Sequence, residues 1–96
     1  MSDYTLTARA EADLFDIAAF GYRQFGIRQA EAYVGDLEHV FQLRADNPRM
    51  GRKADAIRPG VHRHEYAAHV ILYEPAEGGV LILAIIHGRS VRGLDL

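Results

Sequence analysis

Between Arg49 and Arg63 five cations stand against one acid, and His87 and Arg89 close the last apolar run of the chain. A cluster of that kind attracts an acidic partner or a phosphate backbone. An imidazole titrates near neutral pH, so His87 could serve beside such cations as a base or an acid. Lys53, Arg58, Arg63 and Arg89 are the candidates for holding phosphate, and Tyr66 or Tyr73 could stack on a base. Arg58 precedes Pro59-Gly60, a turn that fixes its backbone and could present the guanidinium to an acidic partner.

Each candidate also has a plainer reading. His87 could simply pair with Asp95 or a backbone carbonyl, and Arg58 with a helix carboxylate. Arg49, Arg52 and Lys53 could be a solvated loop rather than a contact with a target. His62, His64 and His69 invite a metal, but no carboxylate or fourth ligand is clearly placed with them, and no metal site is expected.

The chain that must position these groups has 96 residues, enough for one domain with little stability to spare. The 49% apolar fraction supports a real core. Cysteine is absent, which excludes disulfides, thiolate metal sites and thiol nucleophiles. No run approaches the ~20 apolar residues of a membrane helix, and Met1-Ser2-Asp3-Tyr4 lacks the features of a signal peptide. A cytoplasmic protein with no membrane partner and no cofactor is expected. Residues 1–48 hold four arginines against eight acids, whereas residues 49–96 hold seven cations against five. A net charge of −2 speaks against broad or sequence-specific nucleic-acid binding, where many cations neutralise phosphates.

The pattern predicts a strand at Tyr4-Thr5-Leu6, then a helix capped by Thr7 and ended by Gly26. Leu14, Ile17, Ala18, Gly21 and Phe25 recur at helical spacing as its buried stripe. Phe15 and Tyr22 lie seven apart on an offset face and read as a partner-binding strip, with Phe25 in the core. A second helix is expected from about Arg28 to Arg44, facing inward with Ala30, Tyr33, Val34, Leu37, Val40, Phe41 and Arg44 and stopped by Asn47-Pro48. Residues 45–60 read as a basic connecting loop. Strands follow at about 61–66, 69–74 and 80–87, joined by Ala67-Ala68 and by a loop at Pro75-Ala76-Glu77-Gly78-Gly79. Val80–Ile86 is nearly all apolar and should be a central strand buried on both faces. The order is β-α-α-β-β-β, an α+β fold in which a helical hairpin packs on a small, mainly antiparallel sheet.

This layout resembles the ParE toxins of bacterial type II toxin–antitoxin systems, within the RelE/ParE superfamily. The segments that carry the resemblance are Leu6-Thr7-Ala8-Arg9-Ala10-Glu11-Ala12-Asp13-Leu14, Ile57-Arg58-Pro59-Gly60, Val70-Ile71-Leu72-Tyr73 and Ile85-Ile86-His87-Gly88-Arg89. It covers nearly the whole chain. It implies a toxin neutralised by a cognate ParD-type antitoxin in a hetero-oligomeric complex. ParE-type members are inhibitors of DNA gyrase, whereas RelE-type members are ribosome-dependent mRNA endonucleases.

RNA cleavage needs a base for a ribose 2′-OH, cations for the phosphate and an acid for the leaving oxygen. His87 with Arg58 and Arg63 would have to supply them. Against that reading stand the net acidic charge and a tail, Ser90-Val91-Arg92-Gly93-Leu94-Asp95-Leu96, with no aromatic residue. The nuclease relatives place a catalytic aromatic or basic residue near that end. Non-enzymatic gyrase inhibition is therefore the expectation, with mRNA cleavage as the alternative. For antitoxin binding the candidates are Phe15, Tyr22, Arg58, Arg63 and Arg89; for the target they are Arg49, Arg52 and Lys53.

Overall fold

The computed structural model describes residues 2–90. Strand β1 (Asp3–Leu6) leads into helix α1 (Ala8–Phe25), and helix α2 (Ile27–Asp46) returns antiparallel to it. Strand β2 (Arg52–Lys53) follows, then β3 (His62–Tyr66), β4 (His69–Ala76) and β5 (Gly79–His87). The five strands form one sheet in the order β1-β5-β4-β3-β2. Only the β1–β5 pair is parallel. The architecture is the α+β layout read from the sequence. Among the described residues no helix is long and apolar enough to cross a membrane.

Local chemistry explains the element boundaries. The Thr7 hydroxyl accepts a hydrogen bond from the Ala10 N–H at 3.0 Å, satisfying one unpaired donor of the first turn of α1. The same hydroxyl donates to the Leu83 carbonyl at 2.9 Å, tying the helix start to β5. Gly26 adopts φ +89°, the left-handed region open to glycine. Its N–H donates to Tyr22 O and its carbonyl accepts from Ala30 N, so one residue ends α1 and begins α2.

β5 is the central strand, between β1 and β4. Tyr73 pairs with Ile82 and Leu72 with Ala84, so Leu83 is an extra, bulged residue. The bulge shifts the alternation by one residue, so Ile82 and Ile85, three apart, both face the helices. There they pack with Leu37, Val40 and Phe41 of α2 and with Ile71 of β4. Each such large side chain contributes about 1.5–3 kcal/mol by leaving water. On the opposite face Val70, Leu72, Leu83, Ala84 and Ile86 form a second cluster with Ala54 and Val61 of the preceding connection. A strand buried on both faces explains the unbroken apolar run.

Four expectations are corrected. α2 runs to Asp46 rather than Arg44. The connection after it contains β2, a two-residue strand whose Arg52 and Lys53 pair with Arg63 and His62. The β4–β5 connection is only Glu77-Gly78, because Pro75 and Ala76 continue β4 opposite Val80 and Gly79. Proline is tolerated there because β3 has already ended opposite Tyr73, leaving that part of β4 an edge. Finally, Phe25 is 60% exposed instead of buried. Its helical phase is right, but at the end of α1 it lines an open groove instead of the closed core.

Candidate functional site

α1 buries little of itself: only Ala10 is fully buried, and Leu14 and Ile17 pack on the core while half-exposed. Phe15, Ala18, Ala19 and Tyr22 follow a second stripe, at the i, i+3, i+4, i+7 spacing of one helical face, so Ala18, expected in the buried stripe, belongs to the outer one. Ile27, Ala30 and Val34 supply the matching stripe of α2, so Val34, expected on the inner face, lines the outer groove instead of the core. Together they line an outer groove of about 640 Å³ whose polar members are Arg23, Glu31 and Glu38. Phe15 is 72% exposed, Ile27 59% and Tyr22 58%. A contiguous strip of exposed aromatic and aliphatic side chains marks an interaction surface on a small domain.

A second groove, of about 580 Å³, opens at the end of the hairpin toward the β3–β4 turn. Phe20, Phe25 and Ile17 form its apolar wall, and Tyr33, His69 and His87 its polar end. The Tyr33 hydroxyl lies 2.6 Å from His69 Nδ1, and the rings of His69 and His87 are 5.9 Å apart. Burial lowers the pKa of His69, and the neighbouring His87 lowers it further, so both effects favour the neutral ring. The backbone N–H of Arg89 donates to His87 Nδ1 at 3.2 Å, and Nε2 has no hydrogen-bond partner among the described residues.

The cations gather elsewhere. Arg63 pairs with Leu72, and Leu72 belongs to the cluster on the sheet face away from the helices. Arg52 and Arg63 both donate to Glu65 Oε1 at 3.0 Å, and Arg58 donates to Glu74 at 3.2 Å. Three of the five cations between Arg49 and Arg63 are thus partly neutralised on that face. Arg49 and Lys53 make no ion pair among the described residues. They border a shallow polar depression with His62, Asp55 and Glu74. Met50, 72% exposed, stands beside Arg49 against Pro75 and Ala76.

The sequence-derived residues therefore divide into separate groups. Phe15 and Tyr22 are exposed together on the outer groove. Arg58 and Arg63 lie on the far face of the sheet, and Arg89 is exposed in a short 3-10 turn, Gly88–Ser90. His87 faces the helices, so it is not brought together with Arg58 and Arg63. Tyr73 is fully buried and unable to stack on a base, and Tyr66 donates to Asp36 at 2.7 Å. His62, His64 and His69 take separate partners: the Gly51 carbonyl, Arg44 and Tyr33. Among the described residues no three metal-ligating side chains gather. The expected His87–Asp95 pairing and the tail from Val91 lie outside the described residues.

Phe20, Ile27 and Met50 are surface-exposed apolar residues that the sequence reading left unassigned. The phase of Ile27 relative to Ala30 and Val34 was the available signal for the groove. Nothing in the local sequence marks Met50.

Comparison with known proteins adds to this geometry. The sequence profile of the family described as "ParE toxin of type II toxin-antitoxin system, parDE" matches residues 4–92. The chain is 36% identical over 89 residues to Toxin ParE1 of Mycobacterium tuberculosis, covering 92% of this chain and 91% of that one. It is 32% identical over 87 residues to Toxin ParE1 of Caulobacter vibrioides, covering 91% and 90%. A solved chain described as "Chromosomal ParDE TA system from P. aeruginosa" superimposes with a TM-score of 0.75 at 21% identity, covering 91% of this chain and 96% of that chain. At that identity the last likeness speaks for the fold alone.

Proposed function

The chain belongs to the ParE toxin family of type II toxin–antitoxin systems, and on that footing we propose that it inhibits DNA gyrase by binding and is neutralised by a ParD-type antitoxin. The observation that carries the antitoxin half is the outer groove, where Phe15, Tyr22 and Ile27 stay more than half exposed in the isolated chain. Leaving such side chains in water forgoes about 1.5–3 kcal/mol each, which a partner recovers by covering them. An antitoxin segment that is disordered when free would fold as an amphipathic helix along this groove. Contacts of the same chain with Arg89, and beyond it with Arg58 and Arg63, require an extended segment that passes around the sheet.

Arg49, Met50 and Lys53 form the target-facing edge in this reading, with Arg52 beside them. It lies away from the outer groove and holds two cations without carboxylate partners among the described residues. The alternative, ribosome-dependent mRNA cleavage, needs His87, Arg58 and Arg63 around one phosphate, and these project from opposite faces of the sheet.

Expression in a bacterial host tests the proposal. Filamentation with DNA damage, relieved by co-expression of the antitoxin encoded beside the chain, is the expected result. Immediate arrest of translation would point to mRNA cleavage instead.

A further inference from the structure

The outer groove carries a charge pattern that an apolar contact alone does not need. Its α1 wall is apolar from Phe15 to Tyr22 and ends at Arg23. Its α2 wall places Glu31 and Glu38 on either side of Val34. Both carboxylates are exposed, and neither they nor Arg23 make an ion pair among the described residues. Two other acids of the hairpin are engaged within the fold: Asp13 accepts from the Ile85 N–H and Asp36 from Tyr66. Glu31 and Glu38 lie seven residues apart, two helical turns, or about 10.5 Å along α2.

We propose that this groove selects an antitoxin helix bearing two Lys or Arg residues seven positions apart on the edge facing α2, and an acid on the opposite edge facing Arg23. The proposal rests on the toxin–antitoxin reading above and adds the charge code that reads the partner. A helix is required by the period. Phe15 and Tyr22 on one wall and Glu31 and Glu38 on the other share the same two-turn repeat, which a helical partner reproduces. An extended strand repeats its same-face side chains every ~6.6 Å, so ~10.5 Å falls on its opposite face.

A second copy of this chain does not fit. Its helices carry cations only at Arg9 and Arg23 in α1 and at Arg28 and Arg44 in α2, and no two within one helix are seven apart. Rim charges of this type set the choice of partner and the association rate more than the depth of binding.

The test is a titration of the purified full chain with the full-length antitoxin encoded beside it, at low and at high salt. The variants are Glu31→Gln/Glu38→Gln and Glu31→Lys/Glu38→Lys, with unchanged thermal melts confirming the fold. The proposal expects affinity to fall about tenfold or more on charge reversal and by less on neutralisation, the differences shrinking in high salt. Lys→Glu or Arg→Glu at two antitoxin positions seven apart should restore binding to the reversed variant. Equal affinity for all three chains would overturn the charge code while leaving the antitoxin assignment standing. Failure of the wild-type chain to bind this antitoxin would overturn both. A wild-type homodimer that dissociates in the Lys variant would make a second copy the occupant and also overturn the proposal.

Discussion

The Tyr33 hydroxyl sits 2.6 Å from Nδ1 of His69, joining the second helix to the strand that begins the sheet's central hairpin. His69 can accept that proton only while Nδ1 carries none. Burial and the adjacent His87 lower its pKa below the usual 6.5. His64 is lowered likewise, by burial first and then by Arg44, whose Nε donates to His64 Nδ1 at 2.8 Å. Both rings bind protons more readily unfolded than folded. Their stabilisation is therefore complete above pH 6.5 and is lost as the pH falls from there through the folded values. Thermal melts should show Tm falling as the pH drops below the usual histidine range, with a shallower fall in His69→Gln, whose side chain can still accept from Tyr33.

Gly51 is required by Tyr73. A Cβ at position 51 would run into the Tyr73 hydroxyl, which is buried beneath β2. Gly51→Ala should cost about 1–3 kcal/mol, as overpacking of a filled core does. Tyr73→Phe removes the nearest of the clashing atoms, the hydroxyl, while the ring carbon that bears it stays close, so the double variant should recover part of that loss. Denaturant unfolding of the four chains measures the coupling, and strict additivity would contradict the contact.

Thr7 holds two elements at once, through Ala10 N–H and Leu83 O. Thr7→Ala should destabilise the chain by about 1–2 kcal/mol, whereas Thr7→Ser, which keeps the hydroxyl, should cost much less. Chemical denaturation gives the answer directly.

Phe15 and Tyr22 contribute little to the fold and, in this account, much to the antitoxin complex. Phe15→Ala/Tyr22→Ala should leave folding stability within about 0.5 kcal/mol. The same pair should weaken antitoxin binding by about 2 kcal/mol or more. Alanine at Arg58, Arg63 and Arg89 together should weaken it less, since Arg58 and Arg63 already have Glu74 and Glu65 as partners. Calorimetric titration of both variants ranks the two surfaces.

The parts of this fold that could be read from the sequence are those fixed by local chemistry. Thr7 marks a helix start, Gly26 a reversal, and Val80–Ile86 a central strand, each through a preference acting within a few residues. The parts that were hidden depend on residues brought from elsewhere. β2 is two residues long and exists because Arg63 and His62 pair with it. Phe25 continues the phase of the buried stripe, yet it lines an open groove at the end of the hairpin instead of the core. The basic segment looked free as a string of letters, but Glu65 and Glu74, from later strands, engage three of its arginines. His87 and Arg63 belong to the same sheet, but Arg63 is in register with Leu72 and Ala84, and His87, three residues beyond Ala84, falls on the opposite face.

The central claim is that the chain stops gyrase by binding it. The direct measurement adds the purified chain to two reactions, DNA supercoiling by gyrase and translation of a defined mRNA on ribosomes, each with and without the antitoxin. The account predicts loss of supercoiling, intact mRNA and recovery of supercoiling when the antitoxin is added. Cleaved mRNA with normal supercoiling, abolished by His87→Ala, would contradict it and make the end of β5 an active site.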